Sequence, residues 1–404
     1  MAKKRANGEG TVFKRSNGSW QGEMSIGRNS NGTLKKKYFY GKTQREVIHA
    51  MEDFKQQYNA GSYIEPNKLT LGQWIDTWLW DYKKATLRPN TFSSYEQNIR
   101  VHIKPCLGHI LLQELKPEML QNFYNEKFKE GRSDGMGGLS SATIDKIHSI
   151  IGKALKQAVK NQLITRNVND LTEPAKVVEK EINPLQLNDQ VKLMKVIKGD
   201  RMEAAFLLDL STGLRIGELL ALRWSDIDLD KGFLRVNHSL NRIKVFDEKR
   251  NSKTELAFGD VKTKSGKRGI PIPSSILPII LQHKKNQLIE KVRLGSMYED
   301  RDLVFCTEFG KPIEPRNMMR KFYKIMEKAG LERKNFHSIR HTFATRALEK
   351  DIHPKIVQEI LGHADIGTTL NKYSHVLPDI KKAASEKLNV LFDSSQENKN
   401  HKAE

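Results

Sequence analysis

The spacing of hydrophobic residues changes along this chain, and each change predicts a different kind of element. Near the start, Thr11-Val12-Phe13, Trp20 to Ile26 and Lys35 to Tyr40 read as short strands, separated by the turn signals Ser16-Asn17-Gly18 and Ser30-Asn31-Gly32. A helix from Thr43 to about Tyr58 follows. From Leu69 to about Asn169 the spacing becomes helical, with Leu71, Trp74, Ile75, Trp78 and Tyr82 on one stripe and Ile144, Ile147, Ile151, Leu155 and Val159 on another. Pro89-Asn90-Thr91 starts a second helix of this stretch, Lys116-Pro117-Glu118 starts a third, and the glycine-rich run Gly131 to Gly138 is a connection before the last. Tryptophans at helical spacing are expected in a core rather than as base-stacking residues.

The polar stretch Lys176 to Asn183, between Pro174 and Pro184, suits an interdomain linker. Beyond it, Leu234, Val236, His238 and Leu240 alternate with polar residues and predict one strand, with Arg268 to Ile272 as its partner. The rest of this region reads as mostly helical. The predicted architecture is multidomain: a small α+β N-terminal domain over residues 1–62 (three-stranded sheet plus helix), an all-α domain over 69–170, and a mainly α domain with a small β-sheet over 184–393. Residues 394–404 are polar and predict a disordered tail.

Composition narrows the partner. The chain of 404 residues carries a formal net charge of +21, and residues 1–60 alone hold 12 Lys and Arg against 5 Asp and Glu, a net of +7. Such an excess of cations repels itself unless a polyanion neutralises it, and nucleic acid is the expected one. A hydrophobic content of 38% excludes a mostly disordered chain. No segment approaches the roughly 20 apolar residues that span a bilayer, and the basic start lacks the apolar run of a secretory signal; the expectation is a cytoplasmic protein with no membrane partner. Cys106 and Cys306 are too few for a disulfide framework or a cysteine zinc site and read as two reduced, buried thiols.

Five segments of the third region carry chemistry when taken together and in order. Thr212-Gly213-Leu214-Arg215 feeds a helix with Ile216, Leu219 and Leu220 inward, and Glu218, one turn beyond Arg215, can orient its guanidinium. Val261 to Arg268 is a basic segment whose Ser265-Gly266 turn suggests a hairpin tip. His337 and Arg340 share a helical face. A helix from Pro354, with Ile356, Val357, Ile360 and Leu361 as its apolar stripe, stops at Gly362 and leaves His363 outside it. Tyr373 follows ten residues later on a short helix that Thr368 or Thr369 can cap.

Two arginines, a lysine, two histidines and a tyrosine suit metal-free attack on a phosphodiester. The hydroxyl of Tyr373 is the nucleophile, and Arg215 and Arg340 stabilise the negative charge of the pentacoordinate transition state. A lysine can protonate the departing sugar oxygen, His337 moves a proton, and His363 donates to the phosphate. No metal or other cofactor is expected; Asp226, Asp228 and Asp230, after Trp224, read as turn residues rather than a two-metal cluster.

This ordered set, Arg215, the Lys262 region, His337 to Arg340, Leu361-Gly362-His363 and Tyr373, resembles the active-site signature of tyrosine recombinases, the family of phage and conjugative-element integrases. The resemblance implies an active site of Arg215, Lys262, His337, Arg340, His363 and Tyr373, with Tyr373 forming a covalent 3′-phosphotyrosyl link. Lys264 competes with Lys262 for the lysine's place. The resemblance also implies an arm-site DNA-binding domain at 1–62, a core-site-binding domain at 69–170 and a catalytic domain at 184–393. The implied function is a site-specific recombinase that integrates and excises a mobile element. Its implied partners are double-stranded DNA at attachment sites, a homotetramer formed on that DNA, DNA-bending accessory factors and an excisionase. The segment Asn389 to Phe392 resembles one that packs on a neighbouring protomer, and packing on its own domain is the alternative. Type IB topoisomerase-like nicking and resealing, or non-catalytic DNA binding, are the competing functions.

Overall fold

The computed structural model describes residues 10–28, 31–60, 63–177, 183–261, 264–372 and Ser385. Lys262, Tyr373, the segment Asn389 to Phe392 and the tail at 394–404 lie outside them. The chain divides into two compact units, Met1–Val178 and Glu179–Glu404.

The first unit opens with strands β1 (Thr11–Lys14), β2 (Trp20–Arg28) and β3 (Leu34–Gly41), an antiparallel sheet in the order β1-β2-β3. Helix α1 (Gln44–Asn59) starts at Thr43, whose side chain accepts the Glu46 amide while Glu46 returns to the Thr43 amide. Its inner face, Val47, Met51 and Phe54, packs on Met24 and its sheet neighbours. The register aligns Phe13, Gln21 and Tyr40 in one row and Thr11, Glu23 and Tyr38 in another. Because side chains alternate across a strand, these rows face away from α1, and Phe13, Tyr38 and Tyr40 are exposed there.

Helix α2 (Leu71–Thr77) runs on through wider π-type turns at Trp78–Lys83. Helix α3 (Pro89–Asn98) likewise widens at Ile99–Ile103 before the short α4 (Lys104–Leu107), where Pro105 has no amide hydrogen to continue the regular ladder. Helices α5 (Pro117–Glu130) and α6 (Ser141–Lys160) complete the unit. The core is built on α6, with Ile144, Ile147, Ile150, Ile151 and Leu155 fully buried, and the Trp74 indole donates to the Ala154 carbonyl at 2.9 Å. Trp74 and Trp78 are core residues as the spacing predicts, whereas Tyr82 is exposed: past the widened turns the helix has rotated off its stripe. Its hydroxyl accepts from Asn161 instead.

The second unit is mostly helical around two small sheets. Helices α7 (Leu187–Ile197), α8 (Glu203–Thr212) and α9 (Ile216–Leu219) lead into β4 (Ile227–Asp228), β5 (Phe233–Val236), β6 (His238–Phe246), β7 (Ser252–Asp260) and β8 (Arg268–Pro271). Helices α10 (Leu277–Leu294), α11 (Pro315–Lys328), α12 (His337–Glu349), α13 (Pro354–Leu361) and α14 (Ile366–Lys372) follow. Helix α8 is buried along most of its length and runs through the core, with Phe206 stacked on Phe322 at 6.1 Å between ring centroids.

Three expectations are corrected in this unit. The alternation from Leu234 to Leu240 is two strands: β5 pairs with β8 as expected, but β6 leaves to pair with β7 in a separate two-stranded sheet. The break falls at Asn237, whose side chain turns away to donate to Asp226 at 2.7 Å. The Ser265-Gly266 turn is no hairpin tip, because it lies in a 3-10 turn (Lys264–Gly266) joining strands of different sheets, while the β6–β7 hairpin closes around Asp247 to Asn251. On α13, Val357 and Leu361 are buried but Ile356 is half exposed, which narrows the apolar stripe. Cys306 is buried as expected, and Cys106, in the first unit, is only half-buried; both are free thiols. Among the described residues no helix is long and apolar enough to cross a membrane.

Candidate active site

Arg215 stands at the N-terminus of α9, after a turn that α8 sets up. Gly213 ends α8 in the left-handed conformation (φ 61°, ψ 34°), and a Cβ there would meet the Phe343 ring at 2.6 Å. Only glycine fits both demands. Glu218 then accepts the Arg215 amide at 3.1 Å on Oε2 and the Arg215 Nη1 at 2.7 Å on Oε1. The pairing of Arg215 with Glu218 follows the sequence expectation. A second arginine that the local spacing does not reveal joins them: Arg268, at the start of β8, donates through Nη2 to Glu218 Oε2 at 2.8 Å. Burial alone would raise the Glu218 carboxyl, but the hydrogen bond and charge of Arg268, then the charge of Arg215, hold it below its usual value.

Arg340 lies one turn into α12. Phe336, just before this helix, is buried against Phe206 and Phe322 and so pins its start in the core. His337 is exposed on the first turn, its ring edge-on to that of His341 at 4.6 Å, while Arg340 is only 1% exposed. The Arg340 guanidinium donates to the Gly213 carbonyl at 2.8 Å through Nη1 and to the Leu361 carbonyl at 2.6 Å through Nη2. Both bonds end on backbone carbonyls. They tie α12 to the turn two residues before Arg215 and to the helix end two residues before His363.

Asp209 belongs to the same neighbourhood. Its carboxyl is fully buried beside the start of the turn that leads to Arg215. Burial pushes it well above the usual carboxylate range, opposed by the charge of Arg340 and reinforced by that of Glu218. The signal in the sequence was an aspartate inside the otherwise apolar run Ala204 to Leu210.

His363 lies just outside α13, which Gly362 ends in the left-handed conformation (φ 65°, ψ 42°). Its amide donates to the Gln358 carbonyl at 3.1 Å, and the Gln358 side chain donates back to the His363 carbonyl at 3.0 Å. Its Nδ1 is 2.8 Å from the hydroxyl of Thr369, which sets the plane of the ring. Thr368 and Thr369 thus sit inside α14 rather than capping it, and buried Thr369 has this contact instead. The loop before β8 packs on the same glycine: a Cβ on Gly362 would lie 2.9 Å from the Ser265 carbonyl and 3.0 Å from the Arg268 side chain.

The structure therefore joins the segments carrying Arg215, His337 and Arg340, and His363, together with the turn two residues beyond Lys262. Lys262 and Tyr373 themselves are outside the described residues. Asp226 accepts from the Arg223 amide and from Asn237, and Asp228 accepts from the Lys231 amide, as turn residues do. Among the described residues, no three His, Cys, Asp or Glu side chains are arranged to hold a metal ion.

Residues 183–379 match the family model described as the phage integrase family, and residues 70–128 match the phage integrase N-terminal SAM-like domain. The chain is 35% identical over 379 residues to a tyrosine recombinase XerC-like protein of Caldanaerobacter subterraneus, covering 91% of this chain and 95% of that protein. It is 25% identical over 432 residues to an integrase of Saccharopolyspora erythraea, covering 96% of this chain and 97% of the relative. Among solved structures, the Tn1549 transposon integrase in complex with transposon right end DNA has a TM-score of 0.64 at 23% identity, over 79% of this chain and 99% of that one. A lambda integrase dimer bound to a core site has a TM-score of 0.55 at 20% identity, over 92% and 96%. The chain belongs to the phage integrase family of tyrosine recombinases, enzymes that break and rejoin DNA strands.

Proposed function

We propose that this recombinase integrates and excises a mobile element at specific DNA sites, with Tyr373 as the nucleophile. The phenolic oxygen attacks the scissile phosphorus, the bond to the 5′ oxygen breaks, and a 3′-phosphotyrosyl ester and a 5′ hydroxyl result. His337 takes up the phenolic proton, and Lys262 or Lys264 supplies one to the departing oxygen. Arg215, Arg340 and His363 stabilise the charge on the nonbridging oxygens. A 5′ hydroxyl from another strand then reverses the attack, so the ester keeps the bond energy and no ATP is consumed.

The single observation carrying this reading is the pair of Arg340 bonds to the Gly213 and Leu361 carbonyls, which draw three of the sequence-predicted segments to one place. We further assign residues 1–62 to arm-site binding, 69–170 to core-site binding and 184–393 to catalysis. The outward row of Phe13, Gln21 and Tyr40, with the Arg15 guanidinium 5.6 Å from the Tyr40 ring centroid, supports the first of these. The net charge of +21 supports a DNA partner. A tetramer on two duplexes, bending factors, an excisionase and a cytoplasmic location complete the proposal.

The test is to incubate the full chain with DNA flanking its own gene and to trap a phenol-resistant protein–DNA adduct. Wild type should form it at one junction, and Tyr373→Phe should bind the same DNA without forming it. Joining of strands between two labelled duplexes then separates recombination from topoisomerase-like resealing. An adduct that persists in Tyr373→Phe refutes the proposal.

A further inference from the structure

Arg268 makes three side-chain hydrogen bonds to separate parts of the second unit, and no role in the reaction yet accounts for them. Its Nη2 donates to Glu218 Oε2 at 2.8 Å, its Nε to the Ile360 carbonyl at 2.5 Å, and its Nη1 to the Gly266 carbonyl at 3.1 Å. One planar group therefore joins α9, the last turn of α13 and the 3-10 turn before β8. The side chains of the Arg268–Glu218 pair are 6% and 4% exposed, whereas Arg215 on the other side of Glu218 is 41% exposed. Desolvating two charges offsets most of the attraction between them, so such a pair adds little net stability. What it does supply is direction. With Oε2 held by Arg268, the plane of the Glu218 carboxylate is fixed, and Arg215 donates to Oε1 at 2.7 Å.

From this geometry we infer that Arg268 is a positioning residue for the strand-cleavage reaction, acting through Glu218 on Arg215 and through its backbone bonds on the 264–266 turn and the end of α13. The inference rests on the proposed role of Arg215 at the scissile phosphate. Lysine cannot replace it, because an ammonium is a point charge and the three acceptors need a fork with fixed directions. Loss of the fork lets Glu218 rotate and Arg215 swing with it. A misplacement of about 1 Å at a charge-stabilising group costs up to roughly 100-fold in rate.

The experiment uses full-length wild type, Arg268→Lys, Arg268→Gln, Arg215→Lys and the double variant Arg268→Lys/Arg215→Lys. The probe is the duplex on which wild type forms its adduct, nicked beyond the scissile phosphate so that the short released strand diffuses away. Single-turnover adduct formation, duplex affinity and the thermal transition are measured for each. Both Arg268 variants should form the adduct about 10- to 100-fold more slowly, with affinity within about threefold of wild type and the thermal transition retained. In the Arg215→Lys background, Arg268→Lys should cost less than about threefold further, because the two residues act as one unit. Wild-type rates in both variants overturn the inference. So does a fully multiplicative loss in the double variant, or a rate loss that comes with loss of the thermal transition. Failure of wild type to form any adduct would instead overturn the proposed function, which separates the two.

Discussion

Gly362 offers a direct way to weigh how tightly the end of α13 must sit on the turn before β8. In Gly362→Ala the new Cβ takes a left-handed backbone at φ 65°, a strain of about 1–2 kcal/mol for an L residue. It also lands 2.9 Å from the Ser265 carbonyl and 3.0 Å from Cδ and Nη1 of Arg268. Neither neighbour yields cheaply, since Ser265 is backbone and Arg268 is held by three hydrogen bonds; overpacking of this kind costs about 1–3 kcal/mol more. Gly199→Ala isolates the first contribution, because Gly199 has φ 78° with nothing within 4 Å of its Cβ position. Denaturant titration of the full chain should therefore show Gly362→Ala less stable than Gly199→Ala by about 1–3 kcal/mol. If that misfit is transmitted to His363, the adduct rate falls by roughly 5- to 100-fold in Gly362→Ala, at about 1.4 kcal/mol for each tenfold, and stays at the wild-type value in Gly199→Ala. Equal stability in the two variants, both with wild-type adduct rates, would show that the close approach at Gly362 constrains nothing.

Two further outcomes follow from burial. Burial lowers the His283 pKa below 6.5, assisted by the Arg201 charge and opposed by its contact with the Val304 carbonyl and by Glu290. The unfolded chain therefore takes up this proton first as pH falls, so the folded state keeps its full stability above 6.5 and loses it below. Melting between pH 7.5 and 5.5 should show a decline that is shallower in His283→Gln, and an equal decline refutes the assignment. In the first unit, Ile147→Ala should cost about 2–5 kcal/mol, because Ile147 is fully buried on α6. Tryptophan fluorescence during denaturant titration is a suitable readout, as Trp20, Trp74, Trp78 and Trp80 all lie in that unit and Trp74 bonds to α6 itself.

Local rules made much of this architecture readable. The Thr43 cap, the prolines opening α3 and α5, and the glycine ending α13 are each decided by a few neighbouring residues, and the elements begin or end there. The Arg215–Glu218 pair was readable for the same reason, being three residues apart. What escaped depends on distant groups. At the split, the Asn237 side chain bonds to Asp226, eleven residues earlier and in another turn. Arg268 looked like an ordinary strand residue because its partners, Glu218 and Ile360, are 50 and 92 residues away. The spacing points to Thr368 or Thr369 as a cap, because the contact of Thr369 with His363 crosses a helix boundary that spacing alone does not reveal.

Two of the bonds that hold Arg340 end on peptide oxygens, at Gly213 and Leu361. Mutation replaces side chains and leaves the main-chain oxygen behind, so what these two bonds inherit is a route of the chain and not a pair of partner side chains. Lineages can drift at the residues lining that route as long as α8 still turns left-handed at its end and α13 still stops where it does. A search for residues that covary with Arg340 would then find little signal at either anchor, even though both hold it.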